Sequence, residues 1–107
     1  MSDDKRLLEL AARAAGMPIH VWGQKGQELV ADMSNPAGHK LWNPLTDDGD
    51  AFRLAVKLRI SVEQMAMEVI AYPADGTCAI EPNDDRYAAT RRAIVRAAAA
   101  IAEGQPS

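Results

Sequence analysis

Three aspartates at positions 47, 48 and 50 form the densest group of potential ligands or acid–base residues in the chain. Asp47, Asp48 and Asp50 directly precede an apolar segment. A calcium loop needs oxygen ligands at alternating positions and a bidentate glutamate at its twelfth position. For a loop that begins at Asp47, that position is Leu58. Carboxylates also stabilise the positive end of a helix without any ion. The pattern favours helix capping over its alternative, a metal or partner contact.

The residue types that supply nucleophiles and zinc ligands are scarce and scattered. His20 and His39 are the two histidines, and Cys78 is the single cysteine. A closed zinc site needs four such ligands at recognisable spacing. The sequence also lacks a G-x-S-x-G elbow, a phosphate-binding glycine loop and an HExxH motif. We therefore predict no metal, cofactor or catalytic residue. His20 is expected on the polar side of a strand and Cys78 in the core, and a Cys–His pair is the alternative.

Arginines are concentrated near the carboxyl end of the chain. Arg91, Arg92 and Arg96 occupy about one and a half helical turns, and Arg86 lies one turn earlier. Guanidinium groups suit phosphates and carboxylates, so this patch could bind a nucleotide, RNA or an acidic protein surface. The interpretation that we favour is a solvated face paired with the aspartates before this helix or with the cluster at 47–50.

The two tryptophans are the remaining candidates for contact with a partner. Trp42 precedes an Asn-Pro-Leu segment and is expected to pack that loop onto the second helix. Trp22 lies beside a turn, where it could stack on a base or anchor a partner. The sequence leaves packing and binding equally open for Trp22.

Three helices are predicted to position these residues. The first is capped by Ser2 and Asp3 and ends at Gly16. The second has Thr46 as its N-cap, and its expected buried face consists of Ala51, Phe52, Leu54, Ala55, Val56 and Leu58. The third runs from 83–85 to Gly104, and its expected apolar stripe consists of Tyr87, Ile94, Ala98 and Ile101.

Two hairpins are predicted between the helices. Segments 19–22 and 28–31 flank a turn at 23–26, and segments 67–72 and 77–80 flank a turn at 73–76. Segment 59–62 is either a separate strand or the start of the second hairpin. The order is thus α-ββ-α-ββ-α, and we expect one antiparallel sheet layered with helices in an α+β domain. The long irregular segment 34–44 has the length of a functional loop.

Composition limits the class of protein. The chain of 107 residues fits one domain, with loose ends expected at 1–3 and 104–107. Its net charge of −3 argues against a dedicated nucleic-acid binder. Neither a signal peptide nor an apolar run of membrane-spanning length is present, so we expect a cytoplasmic protein without membrane contact.

Two segments carry a family resemblance. Segment 42–58 begins WNPLTDDGDA, and segment 87–99 contains ATRRAIVRAA. Together with LLELAARAAG at 7–16, they resemble the phage ABA sandwich domain, a family of small phage and prophage proteins. The resemblance covers about half of the chain and implies an alpha/beta/alpha sandwich. It implies no reaction, cofactor or catalytic residue.

The sequence thus favours a non-enzymatic phage accessory protein that binds a host or phage protein, for example a component of antiviral defence or regulation. The alternatives are capture of a small anionic ligand such as a signalling nucleotide, across a homo-oligomer interface, and an enzyme with an unrecognised site. The candidate binding residues are Trp22, Trp42, Asp47, Asp48, Asp50, Arg91, Arg92 and Arg96.

Overall fold

A computed structural model describes residues 3–23, 29–34, 38, 40–74 and 77–104 of the chain. Within these residues, three helices alternate with two groups of strands, which confirms the α+β class. The elements in chain order are α1 (Asp3–Ala14), β1 (Ile19–Trp22), β2 (Leu29–Asp32), β3 (Lys40–Leu41), α2 (Asp48–Leu58), β4 (Ser61–Gln64), β5 (Glu68–Tyr72), β6 (Ala79–Pro82) and α3 (Arg86–Glu103).

Helix α2 begins one residue later than the sequence predicted. The N-cap is Asp47, whose carboxylate accepts a hydrogen bond from the Asp50 N–H over 2.8 Å. Thr46 instead belongs to the preceding turn, where its N–H donates to the carbonyl oxygen of Asn43. The helix ends at Arg59, which has a left-handed backbone with φ of 55°.

The bounds of α3 agree with the predicted ones. Asp85 is the N-cap and accepts hydrogen bonds from the backbone N–H groups of Tyr87 and Ala88. Gly104 is the C-cap. Tyr87 itself is 71% exposed, so the expected apolar stripe does not extend to the first turn. Tyr87 is only the second residue of α3, whereas burial in this helix begins two positions later, at Ala89.

The strands divide into two three-stranded antiparallel sheets instead of the single sheet expected from the sequence. Sheet A has the order β1-β2-β3 and sheet B the order β4-β5-β6. Each predicted hairpin pairs with a third strand from the segment beside it, β3 in sheet A and β4 in sheet B. Among the described strands, the two hairpins do not pair with each other. Segment 61–64 is a strand of its own, as one alternative proposed. The turn residues 24–28 and 75–76 and the expected loose ends at 1–2 and 105–107 lie outside the described residues.

Helix α3 lies at the centre of the core. It contacts both other helices and all three strands of sheet B. Val69, Ala71 and Ala79 form the buried face of that sheet, whereas Tyr72 and Ile80 on the opposite face are exposed. Sheet A joins the same core through Val30. No helix in the described ranges has both the length and the apolar character needed to cross a membrane.

Candidate functional site

The aspartate cluster is held by protein donors. Asp47 caps α2, and the carboxylate of Asp48 lies 2.6 Å from Arg91 Nη1. Asp50 is only 6% exposed, and it accepts hydrogen bonds from the Asn43 N–H over 2.9 Å and from Arg53 Nη2 over 2.7 Å. No group of three histidine, cysteine, aspartate or glutamate side chains among the described residues could hold a metal ion. Capping and ion pairing therefore account for all three carboxylates.

The three arginines of α3 have partners in three different directions. Arg91 Nη1 donates to Asp48 and its Nε donates to the carbonyl oxygen of Leu45 over 2.9 Å. Arg92 Nη2 lies 3.1 Å from the Asp4 carboxylate in α1. The structure thus does not bring all three guanidinium groups to one site, although Arg92 lines the same small pocket as Arg96.

Arg96 is the third of these arginines, and it contacts strand β6. Its Nη1 donates to the carboxylate of Glu81 and, over 3.3 Å, to the carbonyl oxygen of Ile80. The pairing of Arg91 with Asp48 is the contact to the cluster at 47–50 that the sequence favoured. The partners of Arg92 and Arg96, in contrast, lie in α1 and β6, which the sequence did not indicate.

The tryptophans have different surroundings. Trp42 is buried in the core, as predicted for a packing residue. Trp22 is 41% exposed, and its ring stacks on His20 with a centroid separation of 5.6 Å. His20 is exposed as expected. His39 lies outside the described residues.

Cys78 is exposed, which corrects the prediction that it is buried. The buried position at this end of β6 is taken by its neighbour Ala79. Because successive side chains of an extended chain point to opposite faces, the residue before Ala79 points away from the core.

A groove of about 830 Å³ lies between α2, β4 and the first half of α3. This groove, called the α2–β4 groove below, has apolar walls from all three elements. Phe52 and Val56 come from α2, Val62 from β4, and Tyr87 and Ile94 from α3. Among its lining residues, only Asp48 and Arg91 are binding candidates that the sequence indicated.

Phe52 and Val56 are 70% and 60% exposed, although the sequence placed both on the buried face of α2. The residues of α2 that are buried are Asp50, Ala51, Leu54 and Ala55. At 3.6 residues per turn, Phe52 and Val56 share a second face, about 100° from Ala51 and Ala55. The apolar arc of α2 was therefore too wide for one buried stripe, and that width was the sequence signal for a second contact surface.

The α2–β4 groove is locally positive in a chain of net charge −3. Arg91 and Asp48 neutralise each other at one side. Arg86 donates to Gln64 Oε1 over 2.9 Å and to the Met65 carbonyl over 3.3 Å, so it contacts no carboxylate. Arg59 has no ion pair within the described part of the chain. Among the residues that the structure describes, these two cations of the groove thus have no carboxylate partner.

The side chains around the groove suit binding better than catalysis. Among its lining residues there is neither histidine nor cysteine, and the carboxylate of Asp48 already accepts a hydrogen bond from Arg91. Aromatic rings beside guanidinium groups are enriched where proteins contact their partners. Comparison of the chain with protein-family models, with curated proteins and with solved structures gave no match.

Proposed function

We propose that this protein is a binding module that takes up its partner in the α2–β4 groove. The observation that carries the proposal is the exposure of Phe52, Val56 and Tyr87 on the walls of one groove. Large apolar side chains that are gathered in one concave surface and bordered by charge are typical of interaction sites. Scattered exposed apolar residues would not support the same conclusion.

The partner in this proposal is a protein of the host or of the phage. The phage setting rests on the resemblance of segments 42–58 and 87–99 to the phage ABA sandwich domain. In that setting, a small protein without a catalytic set acts by occupying a surface of its target, such as a component of antiviral defence or of regulation. The cations of the groove favour an acidic surface on that target.

Capture of a small anionic ligand is the second candidate function. Arg59 and Arg86, which contact no carboxylate in the described ranges of the chain, lie in the same groove as the exposed ring of Tyr87. A guanidinium and an aromatic ring could hold the phosphate and the base of a nucleotide. This function predicts a rise in melting temperature with at least one of a panel of nucleotides, and loss of that rise in Arg86→Ala. No shift across the panel would contradict it.

A quantitative pull-down tests the leading proposal. The tagged protein is compared with a variant that carries Phe52→Ala, Val56→Ala and Tyr87→Ala. Met67→Ala serves as the matched control, because Met67 is 82% exposed and lies outside the groove. We expect one host protein to be captured in stoichiometric amount by the wild type and the control. Its recovery should fall at least about tenfold with the groove variant, as for loss of interface hot spots. Equal recovery by all three proteins would place the binding site elsewhere.

A further inference from the structure

The two edge strands of sheet B differ in how their free edges are protected. On β6, Pro82 has no N–H group to offer, and Arg96 Nη1 donates to the carbonyl oxygen of Ile80. Proline and charged side chains on an edge strand prevent a further strand from pairing with it. The β6 edge is therefore closed to a partner strand.

The opposite edge strand, β4, is open. The Met65 N–H donates to the carbonyl oxygen of Glu68 over 2.9 Å, which makes these two residues a hydrogen-bonded pair of the β4–β5 ladder. Because such pairs alternate with non-bonded pairs in an antiparallel ladder, Gln64 opposite Val69 is non-bonded, and so is Val62. The N–H and C=O groups of Val62 and Gln64 thus point away from β5. Within the described ranges no other group bonds to them.

We propose that the partner contributes an extended segment that pairs with the free edge of β4 and places carboxylates beside Arg59 and Arg86. This inference rests on the proposed function and specifies how the partner binds. Side chains on one face of the added strand would contact Phe52, Val56 and Tyr87 in the groove. Addition of a strand to an exposed sheet edge takes affinity from main-chain hydrogen bonds and specificity from alternate side chains.

The positions of the two cations match the two ends of β4. Arg59 lies two residues before the first residue of the strand, and Arg86 contacts the side chain of Gln64, the last residue of the strand. A segment that pairs along β4 therefore has a guanidinium group near each end, and carboxylates there would be attracted. A second copy of the chain would instead bring the same two cations to a symmetric interface, where they would repel. A separate acidic segment would instead be attracted by both Arg59 and Arg86, so we favour it over a second copy of the chain.

The backbone of Arg59 supports a role for its side chain. Its φ of 55° is left-handed, a conformation that glycine adopts without strain and that is disfavoured for other residues. Arginine at this position keeps a cation at the mouth of the groove. The Arg59→Gly substitution removes the cation and also relieves the backbone, so it yields a folded variant for testing the charge.

The test begins with selection from a library of random twelve-residue peptides displayed on yeast, with the full chain as bait. The tightest binder is synthesised, and its affinity is measured for the wild type, for Phe52→Ala and for Arg59→Gly. We expect the selected peptides to alternate apolar and acidic residues. Arg59→Gly should weaken binding roughly two- to fivefold, as for an exposed ion pair, and this loss should disappear at high salt.

The main-chain contact is tested on the peptide, which leaves the protein unchanged. N-methylation of alternate peptide residues removes the N–H groups on one edge. One of the two alternating sets should weaken binding about tenfold or more, since each set faces a different side of the strand. Hydrogen exchange of the Val62 and Gln64 amides should also slow when the unmodified peptide is added.

The outcomes separate the two proposals. A peptide that needs Phe52 but leaves the Val62 and Gln64 amides in fast exchange would overturn strand pairing and leave groove binding intact. Groove-dependent peptides that lack acidic residues would overturn the charge assignment. If the selection yields no peptide whose binding depends on Phe52, both the strand pairing and the proposed function are overturned.

Discussion

Arg91 of α3 and Asp48 of α2 form a 2.6 Å ion pair between the two helices, although the residues are 43 positions apart in sequence. The arginine side chain is 19% exposed and the aspartate side chain 68%. Arg91 also donates to the carbonyl oxygen of Leu45. It therefore joins the turn before α2 and the first turn of α2 to the centre of the core, and it forms one border of the α2–β4 groove.

Removal of Arg91 should destabilise the fold. We expect Arg91→Ala to lower the free energy of unfolding by about 1–2 kcal/mol, because a partly buried carbonyl loses its donor along with the ion pair. Urea denaturation measures this. Arg6→Ala is the control, since the Arg6–Glu103 pair is exposed on both sides and should contribute less than about 1 kcal/mol. Equal losses in the two variants would contradict the structural role of Arg91.

Substitutions in the aspartate cluster should lower the stability of the fold by amounts set by the hydrogen bonds that they remove, and these losses should not depend on a metal ion. Asp50→Ala leaves the Asn43 N–H without its partner and should cost about 1–3 kcal/mol. Asp47→Ala removes the N-cap of α2 and should cost about 1 kcal/mol.

Thermal unfolding with excess calcium and with a chelator checks the alternative explanation of the cluster. We expect the wild type to melt at the same temperature under both conditions, since protein donors already satisfy the three carboxylates. A calcium-dependent rise that is lost in Asp50→Ala would show that the cluster binds an ion.

The two faces of α2 should differ in their effect on stability. Leu54 is 4% exposed, so Leu54→Ala should lower the free energy of unfolding by about 2–5 kcal/mol. Phe52→Ala on the exposed face should change it by no more than about 0.5 kcal/mol. A large loss in Phe52→Ala would mean that the sequence-based assignment of the buried face was right, and it would remove the main support for the α2–β4 groove.

Stability at acid pH should depend on Asp32. Hydrogen bonds from the side chain and the backbone N–H of Ser34 hold the pKa of Asp32 below its ordinary value, although burial opposes them. Because the native pKa is lowered, this stabilisation is present above the unfolded pKa of about 3.9 and is lost as the pH falls through the native value.

Ser34→Ala should therefore make the unfolding free energy less dependent on pH below about pH 5. The measurement is urea denaturation at a series of pH values. Ser61→Ala replaces an exposed serine on another sheet and should keep the pH dependence of the wild type. Identical acid limbs in all three proteins would show that the hydrogen bond from the Ser34 hydroxyl does not persist in solution.

The predicted positions of the helices and strands were close to the observed ones. The prediction that the strands form a single sheet was wrong. The caps of α3 and the strands of both hairpins lie where local sequence patterns placed them. Strand β3 was missed because it has only two residues, too few for a strand pattern. The division into two sheets was missed because the pairing of one hairpin with another is a tertiary contact that local patterns do not encode. Strand β4 remained an unresolved alternative until its pairing with β5 was known.

Of the candidate binding residues, the structure places Asp48 and Arg91 in the α2–β4 groove and the others elsewhere. Phe52, Val56 and Tyr87 were instead assigned to the buried faces of their helices, since an exposed and a buried apolar residue look alike in a sequence. Trp22 is exposed outside the groove, where its ring stacks on His20.

The sequence by itself determined where the helices begin and end, because a cap such as Asp85 acts on backbone groups two or three residues away. Only the tertiary structure decided which apolar residues of α2 are covered and which carboxylate each arginine of α3 meets. Arg92 pairs with Asp4 across 88 residues, and no local pattern encodes such a contact. The α2–β4 groove likewise exists only because α2, β4 and α3 pack without closing the space between them.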